Sequence, residues 1–488
     1  MRRRQFLKRF LAPVALGTAW GAPIVVSPKI TRATEKPSET VRLAYIGWGG
    51  RGKTLTSFTL NNAAIASLCD PDQERLAEAK SKFPEARAYR DMREVFDDKN
   101  IDAVIISTGN YWHCLASIWA MEAGKDVYVE KPLCMNFHEG RAVVDTARRL
   151  GRMCQIGTQM RCDPVFHPEV QRFLHKEKAL GEIRSVRVNR FFARKPIGLR
   201  KTPLTIPQTV DYNLWLGPAP EEPLYRDALQ YDWHWMWRTG HGEVGNWGAH
   251  LLDDCRNDIF QDRIRMPKRV LCAGGRVGYN DAGQTPNSIF IYFDTGSIPV
   301  VFCVSNLPDK ENRRSAGEVA GPTSGYTVYC EGGRYEKRWG SAAAFDNDGK
   351  QIRDFVGTDE YQGAGTHQQA FVDALRQGDK QLLPAPIEIG FDSSAWYNSA
   401  NTAYRLGGVF SKKEILAADE KTDGQLAGAL DDLEKHLGRQ GYRVDADTFR
   451  LSPFLEVDEK NECFTGSHGA EANKLLEISY RKGFEFPV

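Results

Sequence analysis

The chain has 488 residues, which is long enough for two or three domains with sizeable cores. Its formal net charge of +2 gives no sign of a nucleic-acid-binding surface, and its mean hydropathy of −0.47 argues for a soluble body. The ten cysteines are scattered, with no Cys-x-x-Cys pair. We therefore expect small buried thiols, rather than zinc ligands or an obligatory disulfide framework.

The N-terminus predicts export. Residues 3–8 read Arg-Arg-x-Phe-Leu-Lys, and a moderately apolar segment follows at 10–26. This pattern is typical of a twin-arginine signal, which we place at residues 1–33. Prolines and glycines interrupt the apolar segment, so a permanent membrane anchor is not expected. The mature protein is predicted to be periplasmic, after export in the folded state by the twin-arginine machinery.

Residues 43–52 form the first structural signal, an apolar strand that runs into a G-x-G-x-x-G turn. Gly47 would allow the tight turn, Gly49 would leave room for a pyrophosphate, and Gly52 would let the next helix approach the strand. The helix N-terminus would then face the phosphates. The remaining residues of this predicted cofactor-binding turn are Trp48, Gly50 and Arg51.

A second predicted strand, 64–69, ends at Asp70, which lies 18 residues after Gly52. An acidic residue at this distance is the expected acceptor for the ribose hydroxyls. Its carboxylate favours NAD over NADP because it would repel a 2′-phosphate. Asp70 has an alternative role as the first residue of an Asp-Pro-Asp turn. Together, the strand, glycines, helix and acid predict dinucleotide binding.

The next predicted elements complete a doubly wound parallel sheet, covered by helices on both faces. The apolar strands are at 103–108, 126–129 and 153–157, and the helices between them are at 114–123 and 138–150. We therefore predict a Rossmann domain at residues 34–160.

Later strands are separated by turns and predict an α+β domain with an antiparallel sheet at residues 161–409. These strands are at 183–192, 269–274, 288–293, 298–304 and 326–330. We interpret residues 410–488 as a C-terminal extension.

Two chemical stretches follow strands of the parallel sheet, and both lie at the edge where ligands bind in such folds. The first, 108–113, includes Thr108, Asn110 and His113, and the second is Glu130-Lys131-Pro132. Lys131 would direct its ammonium group toward the nicotinamide and a substrate hydroxyl. For a single lysine the alternative is a solvated side chain.

A third stretch, 237–253, carries a glycine-rich approach to a predicted helix. If that helix begins near Asn246, then Asn246, His250 and Asp253 share one face. A histidine in this place can remove a hydroxyl proton while a neighbouring carboxylate fixes its tautomer. A core histidine is the alternative. The sequence shows no closed metal site and no hydrolytic nucleophile.

Taken together, these motifs resemble the Gfo/Idh/MocA family over residues 41–407. The resemblance implies a Rossmann domain, and a C-terminal α/β domain whose large, mostly antiparallel sheet often forms dimers or tetramers through its outer face. It implies that Lys131 and His250 are a catalytic pair, assisted by Asn246 and Asp253. Many relatives carry Asp where this chain has Asn246, and an amide cannot take a proton.

The resemblance also implies hydride transfer between NAD and a carbinol carbon of a sugar or polyol. It extends the predicted cofactor-binding set, which comprises Gly47, Trp48, Gly49, Gly50, Arg51, Gly52, Asp70, Thr108, Asn110, His113, Glu130, Lys131, Gln159, Trp237 and Arg238.

Export adds a condition on the cofactor, because the periplasm offers no ready pool of NAD. We expect NAD to be bound before export and regenerated in place. The alternatives are a redox-assisted glycosidase, lyase or epimerase on the same scaffold, and a non-catalytic carbohydrate-sensing or structural protein. The tryptophans at 215, 233, 235 and 237 would either stack on a sugar or pack between the domains.

Overall fold

A computed structural model of the chain describes residues 40–308, 320–358, 363–420 and 422–486. The predicted export signal at residues 1–33 lies outside these ranges and stays a prediction. Among the helices within them, none is both long and apolar enough to cross a membrane. The ten cysteines are all free thiols and most of them are buried, as their scattered positions predicted.

The N-terminal sheet has six strands, and all of its pairings are parallel. The strands are β1 (Val41–Ile46), β2 (Ala63–Cys69), β3 (Arg87–Tyr89), β4 (Ala103–Ile106), β5 (Asp126–Val129) and β6 (Cys154–Ile156). Their order across the sheet is β3-β2-β1-β4-β5-β6, so the direction of winding reverses between β1 and β4. This order confirms the predicted Rossmann fold, and a ligand is expected at that reversal point.

Five helices connect these strands. They are α1 (Gly50–Leu55), α2 (Gln73–Lys82), α3 (Met92–Asp97), α4 (Asn110–Glu122) and α5 (Phe137–Leu150). Their ends follow ordinary capping rules: the Asp72 side chain accepts a bond from the Glu74 N–H, and Gly151 ends α5 in the left-handed conformation. The helices cover strands such as β4, which is fully buried because all four of its residues are apolar.

The second sheet has twelve strands, and every pairing is antiparallel except that of β7 with β10. The strands are β7 (Ile183–Phe191), β8 (Arg269–Gly275), β9 (Ser288–Asp294), β10 (Val300–Ser305), β11 (Ser324–Cys330), β12 (Gly333–Arg338), β13 (Ser341–Asp346), β14 (Gln351–Val356), β15 (Gly408–Val409), β16 (Phe449–Leu451), β17 (Leu455–Asp458) and β18 (Cys463–Thr465). Their order is β14-β13-β12-β11-β7-β10-β9-β8-β16-β15, with β17 pairing with both β8 and β18. The predicted, mostly antiparallel second sheet is confirmed.

The remaining helices are α6 (Phe166–Gln171), α7 (Tyr212–Leu216), α8 (Gly242–Asn246), α9 (Gly248–Phe260), α10 (Ala364–Gln377), α11 (Ile387–Leu406), α12 (Lys412–Asp419), α13 (Gln425–Arg439) and α14 (Gly469–Leu476). Short 3₁₀ turns lie at Gln159–Cys162, Asp232–Trp235 and Lys380–Leu382, and a π-helical segment lies at Arg172–Lys176. Helix α10 returns to the N-terminal sheet, where Phe371 and Leu375 share a core with Leu43 and Tyr45 of β1. The chain therefore crosses back to the Rossmann sheet after completing most of the second one.

The C-terminal extension is built into the second sheet. Strands β16 and β17 pair with β8, and α13 packs Leu430, Leu433 and Leu437 in one apolar cluster with Phe290 and Val301 of the sheet. The extension is therefore part of the core structure of this domain.

Candidate functional site

The glycine turn has the geometry that its sequence predicts. Gly47 adopts a φ of +96°, and a Cβ placed there would lie 2.7 Å from the carbonyl oxygen of Ser107. A Cβ on Gly52 would lie 2.0 Å from the carbonyl oxygen of Gly47. Around Gly49 the space is open, since a Cβ would meet only the Arg75 side chain at 3.5 Å. Two glycines thus shape the backbone, while Gly49 leaves room for a ligand.

Asp70 has the turn-forming role that its sequence position suggested, and its role toward a ribose stays a prediction. Its carboxylate accepts bonds from the backbone N–H of Trp48 at 2.7 Å and of Asp72 at 2.9 Å, which holds the turn together. Burial raises the pKa of Asp70, while these two N–H bonds act in the opposite direction. Asp70 also lines the cleft beside Gly49, where a ribose would be accessible to it.

A cleft of about 300 Å³ runs along the carboxyl edge of the Rossmann sheet. Many of the predicted site residues line it, namely Gly47, Gly49, Gly50, Arg51, Asp70, Thr108, Asn110, His113, Glu130, Lys131 and Asn246. Trp48 and Gly52 do not line the cleft: the backbone N–H of Trp48 binds Asp70, and Gly52 lets α1 approach the carbonyl oxygen of Gly47. This arrangement fits an elongated dinucleotide, because Asp70, Gly49 and Lys131 follow β2, β1 and β5, which lie in that order across the sheet.

Beneath the cleft, a polar network ties the loops after β4 and β5 together. Arg51 donates through Nε to Glu130 at 2.8 Å and reaches Gln159 at 3.4 Å, so Gln159 supports the cleft from behind. His113 donates through Nδ1 to the carbonyl oxygen of Pro132 at 2.7 Å, and its Nε2 lies 3.2 Å from the carbonyl oxygen of Thr108. Such contacts hold the cleft-lining backbone in place before any ligand arrives.

Asn110 connects the Rossmann domain to the glycine-rich stretch at 237–253. Its Nδ2 donates to Nδ1 of His241 at 3.2 Å, and Nε2 of His241 donates to the carbonyl oxygen of Cys134 at 3.0 Å. Burial lowers the pKa of His241 to about 3, which is consistent with a neutral ring. His241 is therefore a structural link between the glycine-rich stretch and the Rossmann domain.

Lys131 is held in the cleft instead of extending into solvent. Its Nζ donates to the backbone oxygen of Asn246 at 2.7 Å and to Oδ1 of the same residue at 3.0 Å. Burial lowers the pKa of Lys131 to about 8, although the carboxylates of Glu130 and Glu243 oppose this change. An amine with this pKa can exchange protons near neutral pH.

His250 lies on α9, buried, with no hydrogen-bond partner for Nδ1 in the part of the chain that the structure describes. Burial lowers the pKa of His250 well below its ordinary value, and the positive charges of Lys131 and Arg51 lower it further. A neutral imidazole with a free nitrogen can bond a substrate hydroxyl. The alternative of a satisfied core histidine does not account for the unpaired Nδ1.

Asp253 contacts other residues than His250, which the sequence predicted as its partner. Its carboxylate accepts two bonds from Arg161, at 2.7 and 3.0 Å, and one from Ser393 Oγ at 2.6 Å. The helix predicted to begin near Asn246 begins at Gly248 as α9, and Asn246 is instead the last residue of the preceding helix α8. Asp253 therefore stabilises the packing of α9, and the structure gives it no bond to His250.

Trp237 and Arg238 also depart from the prediction that they bind cofactor. Trp237 packs near Tyr404, and Arg238 forms an ion pair with Glu222 at 2.9 Å. Neither lines the cleft, because the 3₁₀ turn at Asp232–Trp235 presents other side chains to it.

An aromatic wall faces the cleft from this turn. The His234 ring stacks on Trp233 with ring centroids 3.7 Å apart, and the Tyr231 ring lies 4.6 Å from His234. Trp215 completes the wall, whereas Trp235 does not line the cleft. Of the four tryptophans considered from the sequence, two thus line the cleft and two pack elsewhere.

Sequence reasoning missed a buried ionic cluster centred on Glu243. This carboxylate accepts a bond from Nε of Arg190 at 2.9 Å, one from Nη2 of Arg194 at 2.9 Å, and one from Nδ2 of Asn246 at 3.2 Å. The two arginines lower the pKa of Glu243 although burial alone would raise it. A glutamate in a glycine-rich stretch was the only available signal, and the arginines lie more than 45 residues away.

No group of His, Cys, Asp and Glu side chains suited to a metal occurs within the described residues. The cleft therefore offers the Lys131 amine and the Asn246 amide, while the His250 imidazole is buried on α9 outside the lining of the cleft.

Comparison with known proteins gives two domain matches. Residues 41–158 match the sequence model of the Gfo/Idh/MocA oxidoreductase family described as its NAD-binding Rossmann fold. Residues 195–310 match the model of the C-terminal alpha/beta domain of the same family.

Two relatives illustrate the range of similar proteins. A scyllo-inositol 2-dehydrogenase (NAD(+)) of Bacillus subtilis (strain 168) is 33% identical over 130 residues, which are 26% of this chain and 38% of that protein. An alpha-N-acetylgalactosaminidase of Shewanella oneidensis is 33% identical over 179 residues, which are 32% of this chain and 38% of that protein. The chain thus spans less than two thirds of the length of these curated relatives.

Among solved structures, the WlbA dehydrogenase of Bordetella pertussis, in complex with NADH and UDP-GlcNAcA, has a similar fold. The TM-score is 0.54 at 17% identity, over 74% of this chain and 96% of that chain.

Proposed function

The chain belongs to the Gfo/Idh/MocA oxidoreductase family, whose two domains it carries at residues 41–158 and 195–310, and from this premise we propose that it is an NAD-dependent enzyme acting on a hydroxyl of a sugar, polyol or glycoside. The observation that carries this proposal is the Lys131 amine, fixed by Asn246 in the cleft.

The reaction assigns a role to Lys131, which lines the cleft, and to His250, which is buried on α9 and is not part of the lining. Bound NAD supplies the hydride acceptor. The unprotonated Lys131 amine takes the proton of the substrate hydroxyl. We assign the neutral imidazole of His250, whose ring packs against Trp247, as a hydrogen-bond partner of the same hydroxyl or of its neighbour. Burial of the site limits the access of water to these groups. Asp70, at the far end of the cleft, would bind the ribose hydroxyls of the cofactor.

A substrate screen tests this proposal. Free sugars, cyclitols and glycosides are added to the purified holoprotein while the absorbance of bound NADH is followed. We expect reduction of the bound cofactor by at least one member of the panel, and on the order of a thousandfold lower rate for Lys131→Met. If Lys131→Met retains the wild-type rate on an accepted substrate, the assignment of the base is wrong.

A redox-neutral reaction is the second candidate, because the similarity to an alpha-N-acetylgalactosaminidase is as strong in identity as that to the inositol dehydrogenase. In this case transient oxidation would be followed by cleavage, elimination or inversion and then by re-reduction. Product analysis distinguishes the two. A cleaved glycoside without an accumulated keto-sugar favours the redox-neutral reaction.

A non-catalytic sensor or structural protein is the remaining alternative. It predicts that Lys131→Ala leaves every phenotype of the protein unchanged. Both enzymatic proposals instead predict that this substitution reproduces the phenotype of deletion.

We further propose that the protein works in the periplasm with NAD that was bound before export. The support is the twin-arginine pattern at residues 3–8 together with a cofactor-shaped cleft. Replacing both Arg3 and Arg4 by lysine should leave the protein in the cytoplasm. Denaturation of the protein purified from periplasmic extract should release a dinucleotide detectable by mass spectrometry, and its absence would contradict internal recycling of the cofactor.

A further inference from the structure

We propose that Glu243 is a positioning residue that fixes the side-chain amide of Asn246 and so aims the lone pair of the Lys131 amine into the cleft. The inference rests on the proposed role of Lys131 as the base. Glu243 is buried and does not line the cleft, so its proposed function is to orient Asn246 and not to contact a substrate.

The orientation of the Asn246 amide follows from its two neighbours. On one side, Nδ2 donates to Oε2 of Glu243 at 3.2 Å, and a carboxylate can only accept. On the other side, Oδ1 accepts from Nζ of Lys131 at 3.0 Å. Turning the amide over would place Oδ1 against the Glu243 carboxylate and an N–H against the lysine. Glu243 thus determines which atom of Asn246 faces Lys131.

This orientation controls the direction of the lysine lone pair. An unprotonated amine has two N–H groups and one lone pair. Both N–H groups can be donated to Asn246, one to its backbone oxygen at 2.7 Å and one to Oδ1. The lone pair then points away from Asn246, and Lys131 lines the cleft. With the amide turned over, Nδ2 would donate to the lone pair and the amine could not accept a substrate proton.

Two arginines balance the negative charge of Glu243, so that the buried carboxylate can remain ionised and accept the bond from Asn246. Arg190 and Arg194 both bind its carboxylate, and the Arg190 guanidinium lies 3.6 Å from the Trp247 ring centroid. The other titratable or charged groups around Lys131 are Glu130 and Arg51 from the Rossmann domain, His234 from the aromatic wall and His250 from α9. Burial lowers the pKa of Lys131 to about 8, and Arg194 opposes the rise that the Glu243 carboxylate would cause, so this carboxylate can orient Asn246 without keeping Lys131 protonated.

The same geometry explains why position 246 carries an amide. An aspartate there would bring a second carboxylate against Glu243 at about the present 3.2 Å, with no proton to join them at neutral pH. If Glu243 were a glutamine, its Nε2 could donate to that aspartate, and the aspartate would again accept from Lys131. Residues 243 and 246 are therefore expected to tolerate an exchange of acid and amide only when both change.

A double-mutant cycle with Glu243→Gln and Asn246→Asp tests the inference. Each rate is measured above the Lys131 pKa of that variant, so that the amine is unprotonated. We expect each single substitution to lower kcat on the order of 100-fold. The double variant should recover at least about tenfold over either single, with its pH profile moved upward by about 1–3 pH units because a carboxylate now touches Lys131. If the two losses multiply in the double variant, or if Glu243→Gln keeps the wild-type kcat, the inference is overturned.

Two controls separate positioning from damage to the fold. Glu222→Gln removes the half-buried partner of the exposed Arg238 and should leave kcat, bound NAD and melting temperature at wild-type values. Glu243→Gln should also retain NAD. If the Glu243→Gln protein loses its cofactor or its cooperative melting, the double variant provides the test instead. Adding Asn246→Asp to Glu243→Gln must then restore both the fold and kcat. Failure to restore them overturns the inference.

A measurement without turnover distinguishes failure of this inference from failure of the proposed function. The pKa of Lys131 is obtained from the pH dependence of its labelling, in the holoprotein, by acetic anhydride and mass spectrometry. We expect Asn246→Asp to raise this pKa and Glu243→Gln to lower it, since the latter removes a negative charge and turns an N–H toward the amine. Equal values in wild type and Glu243→Gln overturn the inference even if no carbohydrate is ever turned over.

Discussion

Gly49, Gly50 and Gly52 lie in one short turn, but a methyl group at each would meet different surroundings. At Gly52 it would overlap the carbonyl oxygen of Gly47, and at Gly50 it would meet nothing within 4 Å. At Gly49 the protein leaves room, and a bound pyrophosphate would need that room. We therefore predict different outcomes from two alanine substitutions. Gly52→Ala lowers the melting temperature, whereas Gly49→Ala keeps it but loses bound NAD.

Differential scanning calorimetry and NAD content after denaturation measure these outcomes. Gly428→Ala is the control, since it adds the same methyl group at an exposed position of α13 where nothing lies within 4 Å, and it should retain NAD without lowering the melting temperature. Retention of stoichiometric NAD by Gly49→Ala would show that the cofactor does not pass over this glycine.

The pH dependence of turnover is set by Lys131. Burial lowers its pKa from 10.5 to about 8, and the amine must be unprotonated to accept a proton from the substrate hydroxyl. Hydroxyl oxidation is therefore expected to accelerate as the pH rises through about 8 and to level off above it. A profile of kcat/KM against pH checks this, and an inflection near the ordinary value of a solvated lysine would contradict it. His250 is neutral across this range, so it adds no second inflection.

At the residue scale, the sequence predicts those site residues whose role depends on local spacing. Gly47, Asp70 and Lys131 each follow a strand of the parallel sheet, so their common edge could be inferred. The partner of Asp253 could not, because Arg161 lies 92 residues away and no local pattern connects them. The role of Glu243 could not be predicted for the same reason, because its partners Arg190 and Arg194 lie 53 and 49 residues away.

At the element scale, helix α5 shows how a buried carboxylate couples stability to pH. Glu139 in its first turn accepts bonds from the Met135 N–H at 2.9 Å and the Tyr480 hydroxyl at 3.1 Å. Burial raises the pKa of Glu139 from 4.5 to about 7. Its stabilising contribution is therefore complete below pH 4.5 and is lost as the pH rises through about 7, at a cost of about 3 kcal/mol.

Glu139→Gln should remove this dependence, since the amide stays neutral and Tyr480 can rotate its hydroxyl to accept a bond. We expect a higher melting temperature than wild type at about pH 8, and a similar one at about pH 5. Thermal denaturation across this range is the measurement. Glu122→Gln, which changes an exposed carboxylate on α4, is the control and should follow the wild-type curve. If Glu139→Gln changes the melting temperature by the same amount at both pH values, the titration of Glu139 is not the cause.

Elements with strong periodicity were predicted, and those defined by tertiary contacts were not. The helix expected from near Asn246 is α9, which begins at Gly248, whereas the short helix α8 that holds Asn246 was not predicted. Strand β16 has three residues and β17 has four, which is too short for an alternating pattern to be visible. They form because β8 offers an edge to pair with, which the sequence of the extension does not reveal.

At the scale of the whole molecule, the extension changes the surface that the family resemblance assigns to subunit contacts. Helices α12 and α13 cover the outer face of the large sheet over β8, β9 and β10, in an apolar cluster that includes Ile415 and Leu430. Strands β11 to β14 still present exposed apolar side chains, among them Tyr329, Ile352 and Val356. Any dimer or tetramer of this chain is therefore expected to leave the helix-covered part of the face out of its contact.

Leu430→Asp tests this arrangement, because Leu430 is 1% exposed at the centre of the helix-covered cluster. A charge there has no partner, so α13 should detach and uncover the sheet. We expect the mass measured by light scattering to rise above that of wild type through association of the uncovered faces, while bound NAD is retained. Asp431→Asn changes the next residue, whose carboxylate pairs with Lys435 at the surface, and should leave the mass unchanged. A Leu430→Asp protein with wild-type mass and melting temperature would mean that α13 is not what keeps this face of the sheet covered.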